Sequence, residues 1–279
     1  MTVYSSVLEM IGNTPIVDVS QLSPNPDVRI LGKMEGQNPA GSVKDRIALS
    51  MITEAEEDGT LTPGCTIIEP SSGNTGIAMA MICRIKGYRI KIVLPGNVSV
   101  ERRQLLEVYG AEIIDSPGAE GSNGAVRMAI ELADQHPDWV FLYQYGNEAN
   151  PKAHYRTTGP EIWADVPDIT HFVAGLGTSG TLLGVGTFLK EQNPAIKVMA
   201  VEPPEPLVWR PPQGLQQIEG LAGRCQHLRL QEALVVLAVR VGVPDDTAAD
   251  TEVERAAHVV DPGGADTDTE ARGAVWGDE

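Results

Sequence analysis

The segment that decides the fold runs from Cys65 to Lys86 and reads CTIIEPSSGNTGIAMAMICRIK. Its first part, Cys65 to Glu69, is a short apolar run that predicts a buried strand, and Ile77 to Lys86 is compatible with a helix. Between them lie hydroxyls, an amide and two glycines, which can turn several N–H and O–H donors towards one point. The segment therefore predicts a strand–loop–helix unit whose loop, Ser71 to Gly76, binds a carboxylate or another anion. An ordinary N-cap turn is the alternative.

Strand-like and helical runs continue to alternate around this segment, from residue 45 to residue 201. Such alternation predicts parallel sheets covered by helices on both faces, which is an α/β fold. Ligands in these folds bind at the carboxyl ends of the strands. The loops that follow strands are therefore the places where we expect the chemistry.

A lysine lies upstream of this unit, where residues 38–46 read Asn-Pro-Ala-Gly-Ser-Val-Lys-Asp-Arg. A helix-compatible run follows Lys44, so the lysine is expected at a helix N-terminus. The positive end of the helix dipole disfavours an ammonium and so favours a free amine that can attack an aldehyde. For this motif alone, a solvated lysine beside a capping serine is the alternative.

A second glycine-rich loop reads Gly175-Leu176-Gly177-Thr178-Ser179-Gly180-Thr181. It follows an apolar strand-like run and precedes a helical one. Glycines let the backbone approach a phosphate, and the three hydroxyls add donors. The spacing is neither that of a Walker loop nor that of a dinucleotide fingerprint.

In this order, the three motifs resemble the cysteine synthase and cystathionine β-synthase family of pyridoxal-phosphate enzymes of fold type II. The resemblance extends over about residues 3–205 and is nearest to the bacterial cysteine synthases, the O-acetylserine or O-phosphoserine sulfhydrylases. Further stretches that match the family pattern are Ile11–Pro15, Ser99–Arg103, Gln144–Asn147, Asn150–Tyr155 and Thr158–Glu161.

The resemblance implies a role for each motif. Lys44 would join the aldehyde of pyridoxal 5'-phosphate and later carry the α-proton of the substrate, which makes it the catalytic residue. Two groups of side chains would surround it. The cofactor would be held by Lys44, Asn74, Gly177, Thr178, Ser179, Gly180 and Thr181, and the amino-acid carboxylate by Ser71, Ser72, Asn74, Thr75 and Gln144.

The resemblance also implies an architecture. We expect two parallel-sheet, three-layer domains with the cofactor cleft between them, as in the β subunit of tryptophan synthase. Residues 41–148 would form a small mobile domain, and residues 1–40 with 149–205 a large cofactor domain. The family likeness further predicts a homodimer.

The implied reaction is that of a transferase of cysteine biosynthesis. Sulfide or a carrier thiol would replace the activated hydroxyl of O-acetylserine or O-phosphoserine to give L-cysteine, with the acetyl ester favoured. The first alternative is a related β-lyase, such as cystathionine β-synthase or a serine/threonine dehydratase. The second is an inactive remnant.

Composition narrows the choice of partners. The formal net charge of −17 argues against nucleic acid or an anionic membrane as a partner. No apolar run is long enough to span a membrane, so we expect a cytoplasmic protein acting on small molecules. The three cysteines lie far apart in no metal-ligand pattern, and no metal is expected.

The chain departs from the family pattern over residues 206–279. Serine, lysine and methionine are absent from this range, and residues encoded by G/C-rich codons dominate it. We interpret it as a divergent, partly disordered tail produced by a frameshift, which sequencing of the gene would test; natural divergence is the alternative. The family's C-terminal hydroxyl, which would contact the pyridine nitrogen, has no counterpart here. This is the reason for considering an inactive remnant.

Overall fold

The computed structural model describes residues 3–23, 25–71, 73–201, 235–240 and 274–275. Their backbone forms ten strands and seven α-helices in α/β order. The strands are β1 (Ile16–Asp18), β2 (Val28–Lys33), β3 (Thr66–Pro70), β4 (Arg89–Pro95), β5 (Glu112–Ser116), β6 (Trp139–Phe141), β7 (His171–Gly175), β8 (Lys197–Val201), β9 (Val235–Arg240) and β10 (Ala274–Val275). The helices are α1 (Lys44–Glu57), α2 (Asn74–Lys86), α3 (Val100–Val108), α4 (Gly121–Gln135), α5 (Ala149–Ala153), α6 (Gly159–Asp165) and α7 (Gly180–Gln192).

The first sheet has the order β5-β4-β3-β6, and all its strand pairs are parallel. The side chains of neighbouring residues of β3 lie on opposite faces of this sheet. Ile67 packs into a core with α1 and α2, whereas Ile68 packs against Ala125 and Ala129 of α4. The strand is therefore apolar along its length because both of its faces are covered. This half of the molecule has the three layers that the alternating pattern predicts.

The second sheet has the order β1-β2-β9-β7-β8-β10 and is mixed. Only β7 and β8 are parallel among its described pairs, and the other four pairs are antiparallel. The connection between β1 and β2 is too short to carry a crossover helix, so these strands can pair only in the antiparallel sense. The α/β class is thus confirmed, and in this second sheet the parallel pairing that the alternation predicts is found between β7 and β8. Its core contains Phe172, Val185 and Leu189.

Helix α2 illustrates why these elements end where they do. Its residues from Thr75 to Cys83 are all buried, as expected of a helix covered on every side. It ends at Gly87, whose backbone has φ of 82° and donates its N–H to the carbonyl of Cys83. A residue with a side chain rarely adopts this left-handed conformation, so glycine terminates the helix.

Most of residues 206–279 lie outside the described residues. The structure describes β9 and β10 there as backbone strands, and the expectations of divergence, a frameshift and partial disorder in this range stay predictions. Within the described part of the chain, no helix is long and apolar enough to span a membrane.

Candidate active site

The predicted site residues that the structure describes lie on loops that follow strands or in the first turn of a helix. Ser71 comes directly after β3, Gln144 lies three residues beyond β6, and Gly177 follows β7. Lys44 is the first residue of α1. The loops predicted to bind anions thus lie at the carboxyl ends of strands, where the sequence pattern places them. Ser72 lies outside the described residues.

Ser71 shapes the loop at the start of α2. Its Oγ accepts hydrogen bonds from the main-chain N–H groups of Gly76 (2.9 Å) and Gly73 (3.4 Å). Its own N–H donates to the carbonyl of Val93 in the neighbouring strand at 3.0 Å. Ser71 therefore caps the start of α2, as the alternative interpretation of this loop predicts. Asn74 begins α2 and is partly buried.

Thr75 and Gln144, both predicted to bind a carboxylate, contact each other directly. The hydroxyl of Thr75 donates to Oε1 of Gln144 at 2.7 Å, and both side chains are buried. Because Oε1 is used in this way, the amide nitrogen of Gln144 is the end of the side chain that remains to donate. The arrangement suits an anionic oxygen.

The loop after β7 is held by the buried side chain of Asn150, to which the sequence pattern assigned no role. Asn150 Nδ2 donates to Thr178 Oγ1 and to the carbonyl of Gln144, each at 2.9 Å. Thr178 therefore accepts with its oxygen, and its hydroxyl hydrogen can donate to an anion. Asn150 thus joins Gln144, which is predicted to bind a carboxylate, to the glycine-rich loop.

Two glycines of this loop differ in the space around them. A Cβ built on Gly180 would overlap the side-chain amide of Asn150, so the close approach of the two elements requires glycine there. A Cβ built on Gly177 meets no atom of the described chain within 4 Å. Between them, Ser179 has φ of 65°, a left-handed conformation that is unusual for a residue with a side chain. The loop leads into α7, whose N-terminus favours a phosphate.

His154 supports the other end of the loop. It lies in a π-helical turn, His154–Thr158, that joins α5 to α6, and such turns are frequent at functional sites. Its Nε2 lies 3.2 Å from Thr181 Oγ1, and its Nδ1 lies 3.0 Å from Thr158 Oγ1. Burial, with the positive charges of Arg46 and Lys44, lowers the pKa of His154 to about 3. The imidazole is therefore neutral at physiological pH.

Three buried charges and one partly buried charge surround the start of α1 beyond Lys44. Arg46 Nε and Nη2 donate to the two oxygens of Glu35 at 2.7 and 2.8 Å. Its Nη1 and Nη2 donate to the two oxygens of Glu161 at 2.7 and 2.8 Å. Lys33 Nζ lies 2.8 Å from Glu161 Oε2. We call Lys33, Glu35, Arg46 and Glu161 the Arg46 network. It fastens the first turn of the helix that begins with Lys44 to β2 and to α6.

Glu69, at the carboxyl end of β3, is a further residue that sequence analysis missed. It is fully buried, and its two oxygens accept the main-chain N–H groups of Tyr143 (2.9 Å) and Gln144 (3.1 Å). Burial raises its pKa to about 7, although the two hydrogen bonds act in the opposite direction. The signal that could have found it is one carboxylate inside an otherwise apolar strand.

The residues fit a phosphorylated aldehyde cofactor. The glycine-rich loop offers space at Gly177 and oriented hydroxyls at Thr178 and Thr181, which suit a phosphate. Lys44 is partly buried at the helix start and can supply an amine. Its N–H donates to Ser42 Oγ at 3.1 Å, which fixes the backbone of the first turn.

Comparisons with known proteins agree with this geometry. The model of the family described as "Pyridoxal-phosphate dependent enzyme" matches residues 7–249. Cysteine synthase B of Escherichia coli is 48% identical over 202 residues, which are 72% of this chain and 66% of the relative. The chain thus spans about two thirds of the length of that curated relative.

Two solved structures are similar over comparable shares. A cysteine synthase from Entamoeba histolytica superposes with a TM-score of 0.72 and 39% identity, covering 80% of this chain and 68% of the other. An O-acetylserine-dependent cystathionine β-synthase from Helicobacter pylori superposes with a TM-score of 0.69 and 39% identity, covering 73% and 67%. These identities exceed what a shared fold alone would give, and the resemblance found in the sequence is confirmed.

Proposed function

Because this chain belongs to the family of pyridoxal-phosphate-dependent enzymes, we propose that it forms L-cysteine from O-acetylserine and sulfide. In the net reaction the sulfide sulfur bonds to the β-carbon of the amino acid while the bond from that carbon to the acetate oxygen breaks. The observation that carries the proposal is the double hydrogen bond of Asn150. It fixes Gln144, on the carboxylate side, against Thr178, on the phosphate side.

The proposal assigns the residues as follows. When bound, pyridoxal 5'-phosphate supplies an aldehyde that joins an amine and a ring that accepts electrons. Lys44 Nζ would be that amine and would later hold the α-proton of the substrate. Three groups would hold the ligands: the cofactor phosphate by Gly177, Thr178, Ser179, Gly180 and Thr181; the ring oxygen by Asn74; and the substrate carboxylate by Ser71, Ser72, Asn74, Thr75 and Gln144.

The choice of the acetyl ester has support from the charges near Lys44. A phosphate ester would need a cation beside the leaving group. Arg46, two positions from Lys44, is engaged by two carboxylates and is not offered to a ligand. The name of the Helicobacter pylori relative also specifies O-acetylserine. Because the same relative is named a cystathionine β-synthase, homocysteine is the second candidate acceptor after sulfide.

The family likeness is also the basis for proposing a mobile small domain at residues 41–148, a large domain at residues 1–40 with 149–205, a homodimer and a cytoplasmic location. The carboxylate loop, Ser71 to Thr75, belongs to the small domain in this division. The glycine-rich loop belongs to the large one. Closure of one domain on the other would bring the two loops together around the ligands.

Replacement of Lys44 by alanine tests the proposed activity. We expect cysteine formation to fall by about three or more powers of ten, because the amine and the proton carrier disappear together. Cysteine is quantified after incubation of the purified chain with cofactor, O-acetylserine and sulfide, and in parallel with homocysteine. In the wild-type chain, borohydride trapping should attach the cofactor to the peptide that contains Lys44, and Lys44→Ala should abolish this attachment.

The matched control is Lys152→Ala, which removes an exposed lysine that pairs with Glu54 at 3.3 Å. It should keep the wild-type rate. A Lys44→Ala protein with full turnover would exclude Lys44 from catalysis. A wild-type chain that binds cofactor but forms no product from either acceptor would favour the inactive remnant.

Gly177→Ala tests the phosphate loop separately. The added methyl group meets no described protein atom, so the melting temperature should stay unchanged while cofactor affinity falls about tenfold or more. Gly180→Ala should lower both, because its Cβ overlaps Asn150. Thr178→Val should cost about 1–2 kcal/mol of cofactor binding. Equal cofactor affinity in all three variants would contradict a phosphate site at this loop.

A further inference from the structure

Glu69 is a buried carboxylate close to the carboxyl end of β3. Its side chain is fully buried, and no Lys, Arg or His in the described part of the chain forms an ion pair with it. Burying a carboxylate without a counter-charge is costly, and an apolar residue would serve a central strand better. The two main-chain N–H groups of Tyr143 and Gln144 offset part of that cost. The carboxylate therefore acts on the backbone of these two residues.

The backbone that Glu69 holds is strained. Tyr143 has φ of 51°, in the left-handed region that a bulky side chain rarely occupies. Such a conformation persists only where surrounding contacts impose it. The N–H of Gly146 closes the turn onto the carbonyl of Tyr143 at 3.1 Å, and Glu69 fixes the turn from the other side. Without the carboxylate, the Tyr143–Gln144 segment would be free to relax.

Gln144 is consequently held at three points. Its N–H donates to Glu69, its carbonyl accepts from Asn150, and its side-chain Oε1 accepts from Thr75. Glu69 supplies the connection to β3, the strand that continues into Ser71. It therefore sets the position of Gln144 relative to the loop that follows its own strand.

We infer that Glu69 is a positioning residue for the amino-acid carboxylate and that it acts through the main-chain N–H of Gln144. The inference rests on the proposed function, because it takes Gln144 and Thr75 as part of the amino-acid site. Both oxygens of Glu69 accept from main-chain N–H groups, so both of its acceptors are directed at the turn. Glu69 determines where the amide nitrogen of Gln144 points.

Glu69→Gln is the direct test, since it keeps the shape and replaces one accepting oxygen by an N–H₂ group that opposes a main-chain N–H. Binding of L-serine, which lacks an activated leaving group, is measured on the cofactor-loaded protein by titration calorimetry. We expect the dissociation constant to rise about 10- to 100-fold, with cofactor affinity changed less than about twofold. Amide hydrogen exchange at Tyr143 and Gln144 should become faster.

The matched control is Glu56→Gln. Glu56 is a partly buried carboxylate that accepts from Lys86 (2.6 Å) and Tyr88 (2.9 Å), in hydrogen bonds that include neither Tyr143 nor Gln144. It should leave L-serine affinity unchanged. The double variant Glu69→Gln, Gln144→Ala separates positioning from general stability. Its L-serine affinity should be little lower than that of Gln144→Ala alone, because the effect of Glu69 passes through the side chain already removed.

A rescue variant covers the case in which Glu69→Gln folds poorly. Tyr143→Gly adopts the left-handed turn without strain and should restore both folding and L-serine binding when added to Glu69→Gln. Unchanged L-serine affinity in Glu69→Gln, or full additivity with Gln144→Ala, would overturn the inference. If the wild-type protein itself does not bind L-serine, the proposed amino-acid site is wrong. If the wild-type protein and Glu69→Gln bind L-serine equally well, only the role inferred for Glu69 is wrong.

Discussion

The Arg46 network and Glu69 bury carboxylates in two different ways. In the network, Glu35 and Glu161 each receive two charge-assisted hydrogen bonds from one guanidinium, and Lys33 adds a second cation. Glu69 has two neutral N–H donors and no described cation. The network joins separate elements of the fold, whereas Glu69 holds the turn at Tyr143 and Gln144.

The pKa values show what this difference does. Burial alone would raise the pKa of Glu161, but the hydrogen bonds and charge of Arg46 outweigh it and lower the value to about 2. Burial raises the pKa of Glu69 to about 7 because neutral donors compensate less than a cation does. Glu161, paired with a cation, therefore stays charged down to about pH 2. A carboxylate held by N–H groups alone changes its charge near neutrality.

The strongest way to break this comparison is to remove the cation of the network. Arg46→Ala leaves the buried Glu35 and the partly buried Glu161 without their main partner, and we expect the free energy of unfolding to fall by about 3–5 kcal/mol. Urea denaturation followed by circular dichroism measures the change. Arg127→Ala removes an exposed pair with Glu120 and should cost less than about 1 kcal/mol. Comparable losses in both variants would mean that burial of the network adds nothing.

A pH profile of stability sharpens the comparison with a smaller effect. Because the pKa of Glu69 is raised in the folded state, its contribution is fully present below its usual value of 4.5 and is lost as pH rises through about 7. The loss is on the order of 3 kcal/mol. Glu161 behaves oppositely: its contribution is present above pH 4.5 and is lost as pH falls towards about 2.

Glu69→Gln should therefore flatten the profile between pH 4.5 and 7 and leave the acid limb in place. Two opposed slopes should remain: the contribution of Asp45, whose pKa burial raises to about 6, falls as pH rises, and that of His154, whose pKa burial lowers to about 3, increases with pH up to its usual value of 6.5. Denaturation midpoints at half-unit pH intervals provide the measurement. If the neutral limb is as steep in Glu69→Gln as in the wild type, Glu69 does not titrate in this range.

The sequence predicted the elements with strong local signals. Apolar strands followed by glycine- and hydroxyl-rich loops placed Thr75 and Thr178 at the carboxyl ends of strands, where the structure has them. The antiparallel partners β1 and β2 were not predicted, because they precede the region in which strand and helix alternate.

The supporting residues had no local signal. Arg46 and Glu161 lie 115 positions apart, and nothing in one sequence pairs them. Glu69 reads as the end of an apolar strand, and its function depends on a turn 74 positions away. Residues that hold a site together are chosen by tertiary proximity, which a single sequence does not contain.

The place of β9 in the second sheet has a consequence for biosynthesis. β9 lies between β2 and β7, so that Val28 pairs with Arg240 across most of the chain. The first sheet is complete in sequence once β6 has left the ribosome. β2, by contrast, has β1 as its one described neighbour until β9 has been made. A ribosome that pauses between these points would display a strand edge open to pairing with another chain, and such edges promote aggregation. The speed of elongation over that interval therefore matters to the yield of folded protein.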